Sequence, residues 1–125
     1  MISLSELNPN GLPLDSCQES NLIRLLVVMN KIRAEYGLLM IVTSGFRGAA
    51  DEKRIDPQHP NSLHTQGAAC DILDPDPDKR LWNWCIENMS FLVEVGVWLE
   101  DRLYSASHVH FQIYPPASGN RIFIP

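Results

Sequence analysis

Four side chains that can bind a metal or transfer a proton lie in two short stretches of the sequence. The segment "SLHTQGAACDI" carries His64 and Asp71, and the segment "HVHFQ" carries His108 and His110. Because side chains alternate along a β-strand, His108 and His110 point to one face if the second segment is a strand. Asp71 lies in a small, apolar run, where a carboxylate is costly unless it is paired or bound to a cation. Together these side chains predict a metal site.

Two imidazoles and a carboxylate are typical ligands of a zinc ion that keeps a fourth position open for water, as catalytic zinc sites do. Calcium and magnesium prefer oxygen ligands, so the histidines argue against both ions. A zinc ion lowers the pKa of bound water towards about 7 and polarises a carbonyl group. Hydrolysis of an amide is therefore the reaction that such a site favours.

The longest predicted element is a helix over residues 17–36. Ser16 and Glu19 form a capping-box pattern at its start, and Gly37 is a good C-terminal stop. The apolar residues of this segment recur at helical spacing. They are Leu22, Leu25, Leu26, Met29 and Ile32.

A second helix is predicted over residues 78–89, after the segment "DPDPD". Pro75 and Pro77 prevent the preceding strand from continuing, because proline cannot donate a hydrogen bond to a sheet. Asp76 or Asp78 is expected to cap the helix.

Strand composition marks residues 38–44 and 68–73, and the polar residues 49–61 between them read as a loop. Two further strand-like runs, over 91–100 and 108–114, predict an antiparallel hairpin with a loop of about seven residues. His64 is expected in a loop and Asp71 on a strand. The chain is thus predicted to be an α+β protein with a small antiparallel sheet and helices packed on one face.

Composition limits the class of protein. The chain has 125 residues, of which 45% are hydrophobic, so residues 1–125 are expected to form a single domain. The net charge of −5 and the scattered basic residues exclude a nucleic-acid-binding protein. The longest apolar run, "LLVVM", is too short to span a membrane. No secretion signal is recognised at the N-terminus, so we expect a cytoplasmic protein on synthesis.

Three motifs resemble one family of enzymes. "SLHTQGAACD" is similar to the SxHxxGxAxD motif of the zinc D-alanyl-D-alanine carboxypeptidases and their L-alanyl-D-glutamate endopeptidase and hedgehog-like relatives. "TSGFRG" resembles their SGYR segment and "HVHFQ" their terminal HxH strand, so the likeness covers about residues 21–114. It implies a hedgehog-like fold with Zn²⁺ bound by His64, Asp71 and His110. It also implies that Arg47 binds a substrate carboxylate or orients the scissile carbonyl.

At the catalytic base this sequence departs from the family pattern, because many relatives carry an acid shortly before the last histidine and this chain has "YSAS" there. The nearest acids are Glu100 and Asp101, across the predicted hairpin loop, and Glu100 is the preferred base. His108 is the third alternative, as base or as stabiliser of the transition state. Ser62 either caps the turn before His64 or contacts the substrate.

The resemblance implies a zinc peptidase that cuts the stem peptides of bacterial peptidoglycan, as an endopeptidase or a carboxypeptidase. The alternative is a non-catalytic zinc-containing module that binds without cutting. The short tail resembles that of small phage-encoded members, so we expect action at the cell wall or the virion, and a monomer. The loops at 48–61 and 101–107 are expected to set the bond specificity.

Overall fold

The computed structural model describes residues 1–59 and 62–125. Its elements are α1 (Leu4–Leu7), α2 (Ser16–Tyr36), β1 (Val42–Ser44), α3 (Ala49–Ile55), a 3-10 turn (Leu63–Gln66), β2 (Ala69–Leu73), α4 (Arg80–Glu87), α5 (Met89–Val95), β3 (Trp98–Glu100), a second 3-10 turn (Arg102–Tyr104), β4 (His108–Gln112) and β5 (Ile122–Phe123). In the described ranges, no helix is both long and apolar enough to cross a membrane.

The five strands form one sheet in the order β1-β2-β4-β3-β5. The three pairs among β1, β2, β4 and β3 are antiparallel, and β3 pairs in parallel with β5. The predicted α+β class and the antiparallel β3–β4 hairpin are confirmed. The parallel pair was not expected. It arises because the C-terminal segment lies beside β3 and runs in the same direction. The Leu99 N–H donates to the Arg121 carbonyl, and the Asp101 N–H donates to the Phe123 carbonyl.

The sheet separates the core from the candidate site. On β2 and β4, Cys70, Ile72, Val109 and Phe111 belong to the hydrophobic core, together with buried residues of α2. Asp71 and the histidines of β4 alternate with these residues and therefore face the other way. The alternation of a buried strand thus explains how an acid fits into the run "AACDIL".

Helix α2 begins one residue earlier than expected. Asp15, not Ser16, is its N-cap, and the capping box pairs Asp15 with Gln18. Gly37 ends the helix in the left-handed conformation, as predicted, with a φ of 79°. The Asp15 carboxylate accepts from the Gln18 N–H at 2.7 Å, and a carboxylate is also favoured by the helix dipole at this end.

Three predicted elements were wrong in type or length. Residues 49–55 form α3 rather than a loop, while residues 60 and 61 of that predicted loop lie outside the described part. The run over 91–100 is not one strand, because α5 occupies its first half and ends at Gly96, with a φ of 87°. The strand predicted over 38–44 is confined to β1. Packing of Leu92 in the core overrides the strand preference of the neighbouring valines.

Helix α4 is capped by a different acid from the two that were predicted. Its first turn is held by Asp74, whose carboxylate accepts from the Leu81 N–H at 2.9 Å and the Trp82 N–H at 3.1 Å. The helix starts at Arg80 rather than near residue 78. The proline-containing segment lies between Asp74 and the helix, so the cap is distant in sequence and close in space.

Helix α2 holds the 3-10 turn that carries His64. The Gln18 side chain donates to the Thr65 carbonyl at 3.0 Å, and the Asn21 side chain donates to the Gln66 carbonyl at 2.9 Å. Gly67 follows the turn with a φ of 71°, and a Cβ atom there would lie 2.7 Å from the Gln18 carbonyl oxygen. Glycine is therefore required by both the backbone conformation and the close approach of α2.

Candidate metal centre

His64, Asp71 and His110 come together from three elements, as the sequence predicted. One potential ligand atom from each side chain lies within 4.8 Å of the others. His110 Nδ1 is 2.9 Å and His64 Nε2 is 3.4 Å from Asp71 Oδ1. Asp71 and His110 are direct partners in the β2–β4 register, and all three residues are buried.

The orientation of both imidazole rings suits metal binding. His64 Nδ1 lies 2.9 Å from the Gly45 carbonyl oxygen, and His110 Nε2 lies 2.8 Å from Gln112 Oε1. These oxygens only accept hydrogen bonds, so each of these nitrogens carries the proton. In the neutral form that binds a metal, each ring therefore has its lone pair on the nitrogen that faces Asp71. Metal-binding histidines typically have this arrangement, with the distal N–H held by an oxygen.

The donor set fits zinc. It combines two imidazole nitrogens with one carboxylate, which is a common three-ligand set of catalytic zinc sites. Calcium and magnesium require more oxygen atoms than these residues offer. The three residues therefore could hold a zinc ion and leave a further position for water or substrate.

The electrostatics of the site keep Asp71 ionised. Burial acts to raise the pKa of Asp71, but hydrogen bonds with His110 and His64 and the charges of these rings outweigh it and hold the pKa far below its ordinary value. Burial acts to lower the pKa of His110, but the hydrogen bond and the charge of Asp71 raise it. The carboxylate is thus in the form that binds a metal.

His108 lies on the same face as His110 and reaches the edge of the site. Its Nε2 is 3.6 Å from Asp71 Oδ2, and its Nδ1 is 2.8 Å from the Ala106 carbonyl oxygen. The side chain is 29% exposed, more than those of the three candidate ligands. His108 is thus placed to meet a substrate, and its catalytic role stays a prediction.

Glu100 and Asp101 differ in their positions, as expected for neighbours at a strand end. Glu100 lines an open cavity of about 440 Å³ together with His64, Asp71 and His110. Burial raises the pKa of Glu100, against the lowering effect of His110 and Ser105. Such a shift moves a carboxylate towards the pKa of an effective base.

Asp101 has a structural contact instead. Its Oδ1 accepts from the Leu103 N–H at 3.0 Å and caps the second 3-10 turn. It is not part of the cavity wall formed by the described residues. The geometry therefore favours Glu100 over Asp101, while the assignment of the base stays a prediction.

Arg47 lies in the cavity wall, but its guanidinium is already engaged. Its Nη1 lies 2.8 Å from Glu52 Oε2 and 3.3 Å from Oε1, and its Nε donates to Ser44 at 2.8 Å. Its Nη2 lies 3.5 Å from Asp71 Oδ2. This geometry does not support the predicted role of Arg47 in binding a substrate carboxylate, because each of its three guanidinium nitrogens already has a protein acceptor.

Glu52 was missed in the sequence because it was placed in a polar loop. It is fully buried in the first turn of α3, where an acid is favoured by the helix dipole. The segment "RGAADE", which begins at Arg47, contains the signal, since acids in the first turn are typical of a helix start. The full burial of Glu52 could not be predicted from this pattern.

Replacing Arg47 by alanine is expected to lower the free energy of unfolding by about 3 kcal/mol, because it leaves Glu52 buried without its cation. Arg54→Ala is the control, since Arg54 is 72% exposed and pairs with the half-exposed Asp51. We expect that control to change stability by less than about 0.5 kcal/mol. Urea unfolding of both variants measures the difference, and equal effects would contradict a structural role of the Arg47–Glu52 pair.

Ser62 and His59 lie at the rim of the same cavity. Ser62 caps the 3-10 turn, because its Oγ accepts from the His64 N–H at 3.2 Å. This is the first of the two predicted roles, and contact of Ser62 with a substrate stays a prediction. His59 is exposed, as expected, and its Nδ1 lies 3.0 Å from Asp56.

Gln112 is a further residue that sequence reasoning missed, and it holds the His110 ring. Its own orientation is fixed, because its Nε2 donates to the Tyr114 carbonyl at 2.8 Å. Gln112→Leu is expected to weaken zinc binding by about 10- to 100-fold, since the His110 N–H loses its acceptor. Competition with a chelating dye measures this affinity. Gln66→Leu, at an exposed position, is the control. Equal zinc affinities of the two variants would show that Gln112 does not support His110 in metal binding.

The comparisons with known proteins agree with this site. The Peptidase M15 family model matches residues 5–111, a range that contains the three candidate ligands, Arg47 and Glu100. No curated protein and no solved structure gives a significant match to the chain. M15 peptidases are zinc-dependent, in agreement with the donor set found here. Because the family match covers most of the chain and includes the resembling motifs, this protein belongs to the Peptidase M15 family.

Proposed function

We propose that this protein is a zinc peptidase that hydrolyses peptide bonds in the stem peptides of bacterial peptidoglycan. The observation that carries the proposal is the convergence of His64, Asp71 and His110 in one cavity with Glu100. Membership of the M15 family supports a metallopeptidase. The cell wall is then the place of action, which is consistent with a small phage-type enzyme.

The fold fixes the positions of the three candidate ligands in the absence of substrate. The Asp71 carboxylate is fixed on β2 directly opposite His110 on β4, so the relative position of the two groups is set by the sheet. His64 is held by the Gly45 carbonyl and by the turn that α2 supports. A bound zinc ion supplies a Lewis acid that activates water and polarises the scissile carbonyl.

Glu100 is the group proposed to move the proton. Its carboxylate takes a proton from the attacking water as the water oxygen bonds to the carbonyl carbon. It then gives this proton to the amine as the C–N bond breaks, so that one acid and one amine are released. His108, which also lines the cavity, is the group proposed to stabilise the charge that develops on the carbonyl oxygen.

Digestion of purified peptidoglycan and of synthetic stem peptides by the zinc-loaded protein tests the proposal. Mass spectrometry of the products is expected to show one new amine and one new carboxylate at a single type of bond. If the protein binds zinc and peptidoglycan but leaves every peptide bond intact, the proposed hydrolysis is excluded. That result would instead support a non-catalytic binding module.

A further inference from the structure

We infer that the scissile bond is followed by a residue without a free carboxylate, so that this site takes an internal or amidated peptide bond rather than releasing a terminal amino acid. The inference rests on the proposed peptidase function and names its substrate class. It starts from the partners of Arg47 and from the charges around the cavity. A carboxypeptidase must hold the carboxylate of the residue that it releases, and a cation usually does so.

Arg47 has little capacity left for a substrate carboxylate. A guanidinium holds a carboxylate best through two parallel N–H donors. In this site Nη1 is directed at both Glu52 oxygens, and Nη2 is directed at Asp71. The third nitrogen, Nε, donates to Ser44, so every nitrogen of the guanidinium already has a protein acceptor. A substrate carboxylate would have to displace Glu52 from Arg47. Glu52 is fully buried, so water could not solvate its charge after displacement.

The rest of the cavity wall does not supply another permanent cation. Among residues 1–59 and 62–125, Arg47 is the one arginine or lysine that lines the cavity. Arg54, on the neighbouring helix, pairs with Asp51 at 3.6 Å. The two remaining residues of the sequence are Pro60 and Asn61, which are uncharged types. His59 lies at the rim with Asp56 as its partner.

The summed charge also disfavours an additional anion. Asp56, Asp71 and Glu100 line the cavity, and Glu52 contacts Arg47 directly. The charge of a zinc ion must be included in such a count. Its two positive charges and that of Arg47 are then outnumbered by these four carboxylates. A free carboxylate on the substrate would therefore meet no net positive charge, whereas a neutral amide meets no repulsion.

Neutral side chains form much of the remaining wall. They are Ile55, Leu63, Tyr104, Phe123 and Pro125. Ile55 and Tyr104 are about half exposed and belong to α3 and to the second 3-10 turn. These surfaces can contact peptide backbone and small apolar side chains on either side of a bond. They have no feature that would select a charged chain end.

Two matched pairs of synthetic stem peptides test the inference. One pair ends in D-Ala-D-Ala as the free acid or as the amide, and the other carries the α-carboxyl of its D-glutamate residue as the acid or the amide. The informative pair is the one in which the acid or amide belongs to the residue that follows the cleaved bond. In that pair we expect kcat/KM to be at least about 10-fold higher for the amide than for the acid. Equal or faster hydrolysis of the acid would overturn the inference and leave the proposed peptidase in place.

If the protein cuts whole peptidoglycan but not the synthetic peptides, the products released from the polymer test the inference instead. The new amine is expected on a residue that has no free carboxylate, and the release of single amino acids would overturn the inference. If neither the peptides nor the polymer are cut, the proposed function itself fails. The two failures are thus distinguishable.

Glu52→Gln tests the cause, because it removes the charge that competes for Arg47 and keeps a hydrogen-bond acceptor. The ratio of kcat/KM for acid and amide is expected to shift at least about 5-fold towards the acid. Asp51→Asn, in the same helix turn but paired with Arg54, is the control and should leave the ratio unchanged. Thermal unfolding shows whether each variant is folded, and a folded Glu52→Gln protein with an unchanged ratio would contradict the argument. If that variant does not fold, the wild-type peptide pairs decide.

Discussion

Glu100→Gln is expected to lower kcat/KM on peptidoglycan fragments by about 100-fold or more while zinc content stays unchanged, because general-base catalysis typically contributes at least this factor. Glutamine keeps the shape of glutamate but cannot accept the proton of water. Glu100 lines the cavity without being one of the three clustered ligand groups, so the metal site should be unaffected. Steady-state kinetics and elemental analysis of the same preparation measure both effects.

Asp101→Asn is the matched control for this prediction. Asp101 is the next residue along the chain, and its carboxylate caps a 3-10 turn rather than lining the cavity. We expect its activity to remain within a few-fold of wild type. A large loss confined to Asp101→Asn would move the base to that residue, and a loss of zinc in Glu100→Gln would make Glu100 a ligand instead.

His64→Ala is expected to reduce the zinc content from about one ion per chain to a small fraction of that value. The reason is that a catalytic zinc site needs three protein ligands and the variant keeps two. His64 is buried and its Nε2 lies 3.4 Å from Asp71 Oδ1, so the substitution removes one of the three converging donor atoms. Elemental analysis after gel filtration measures the change, and hydrolytic activity should fall with the zinc.

His59→Ala controls for the loss of a histidine as such. His59 is exposed and pairs with Asp56 at the rim, outside the three-residue cluster. Its zinc content is expected to match that of wild type. Full zinc occupancy in His64→Ala would remove His64 from the ligand set, and zinc loss in His59→Ala would show that the rim takes part in metal binding.

Part of the ligand cluster could be predicted from local rules, whereas the full set with His64 was implied by the resemblance to the family. Alternation on a strand fixes the faces of Asp71 and His110, and the cost of a buried unpaired carboxylate indicates a cation. Helix α2 was predictable for a similar reason, since its apolar spacing and Gly37 agree with each other. The strands that hold the cluster, β2 and β4, were also found near their predicted positions.

The supporting contacts could not be predicted because they depend on distant parts of the chain. Gln112 lies two residues after His110, yet its role depends on the ring orientation that Asp71 sets across the sheet. Glu52 acquires its role only when α3 packs beside Arg47. The acid that caps α4, Asp74, precedes the helix by six residues. Composition also gave the wrong structure for α5, where core packing of Leu92 outweighs β propensity.

The measurement that tests the central claim most directly is the release of free amino groups from purified peptidoglycan. It compares the zinc-loaded protein, the same protein after treatment with a chelator, and that protein after zinc is returned. We predict release by the loaded protein, background release after chelation, and recovery when about one zinc ion per chain is added back. Release at an undiminished rate from the zinc-free protein would contradict the assignment of this site as a zinc peptidase centre.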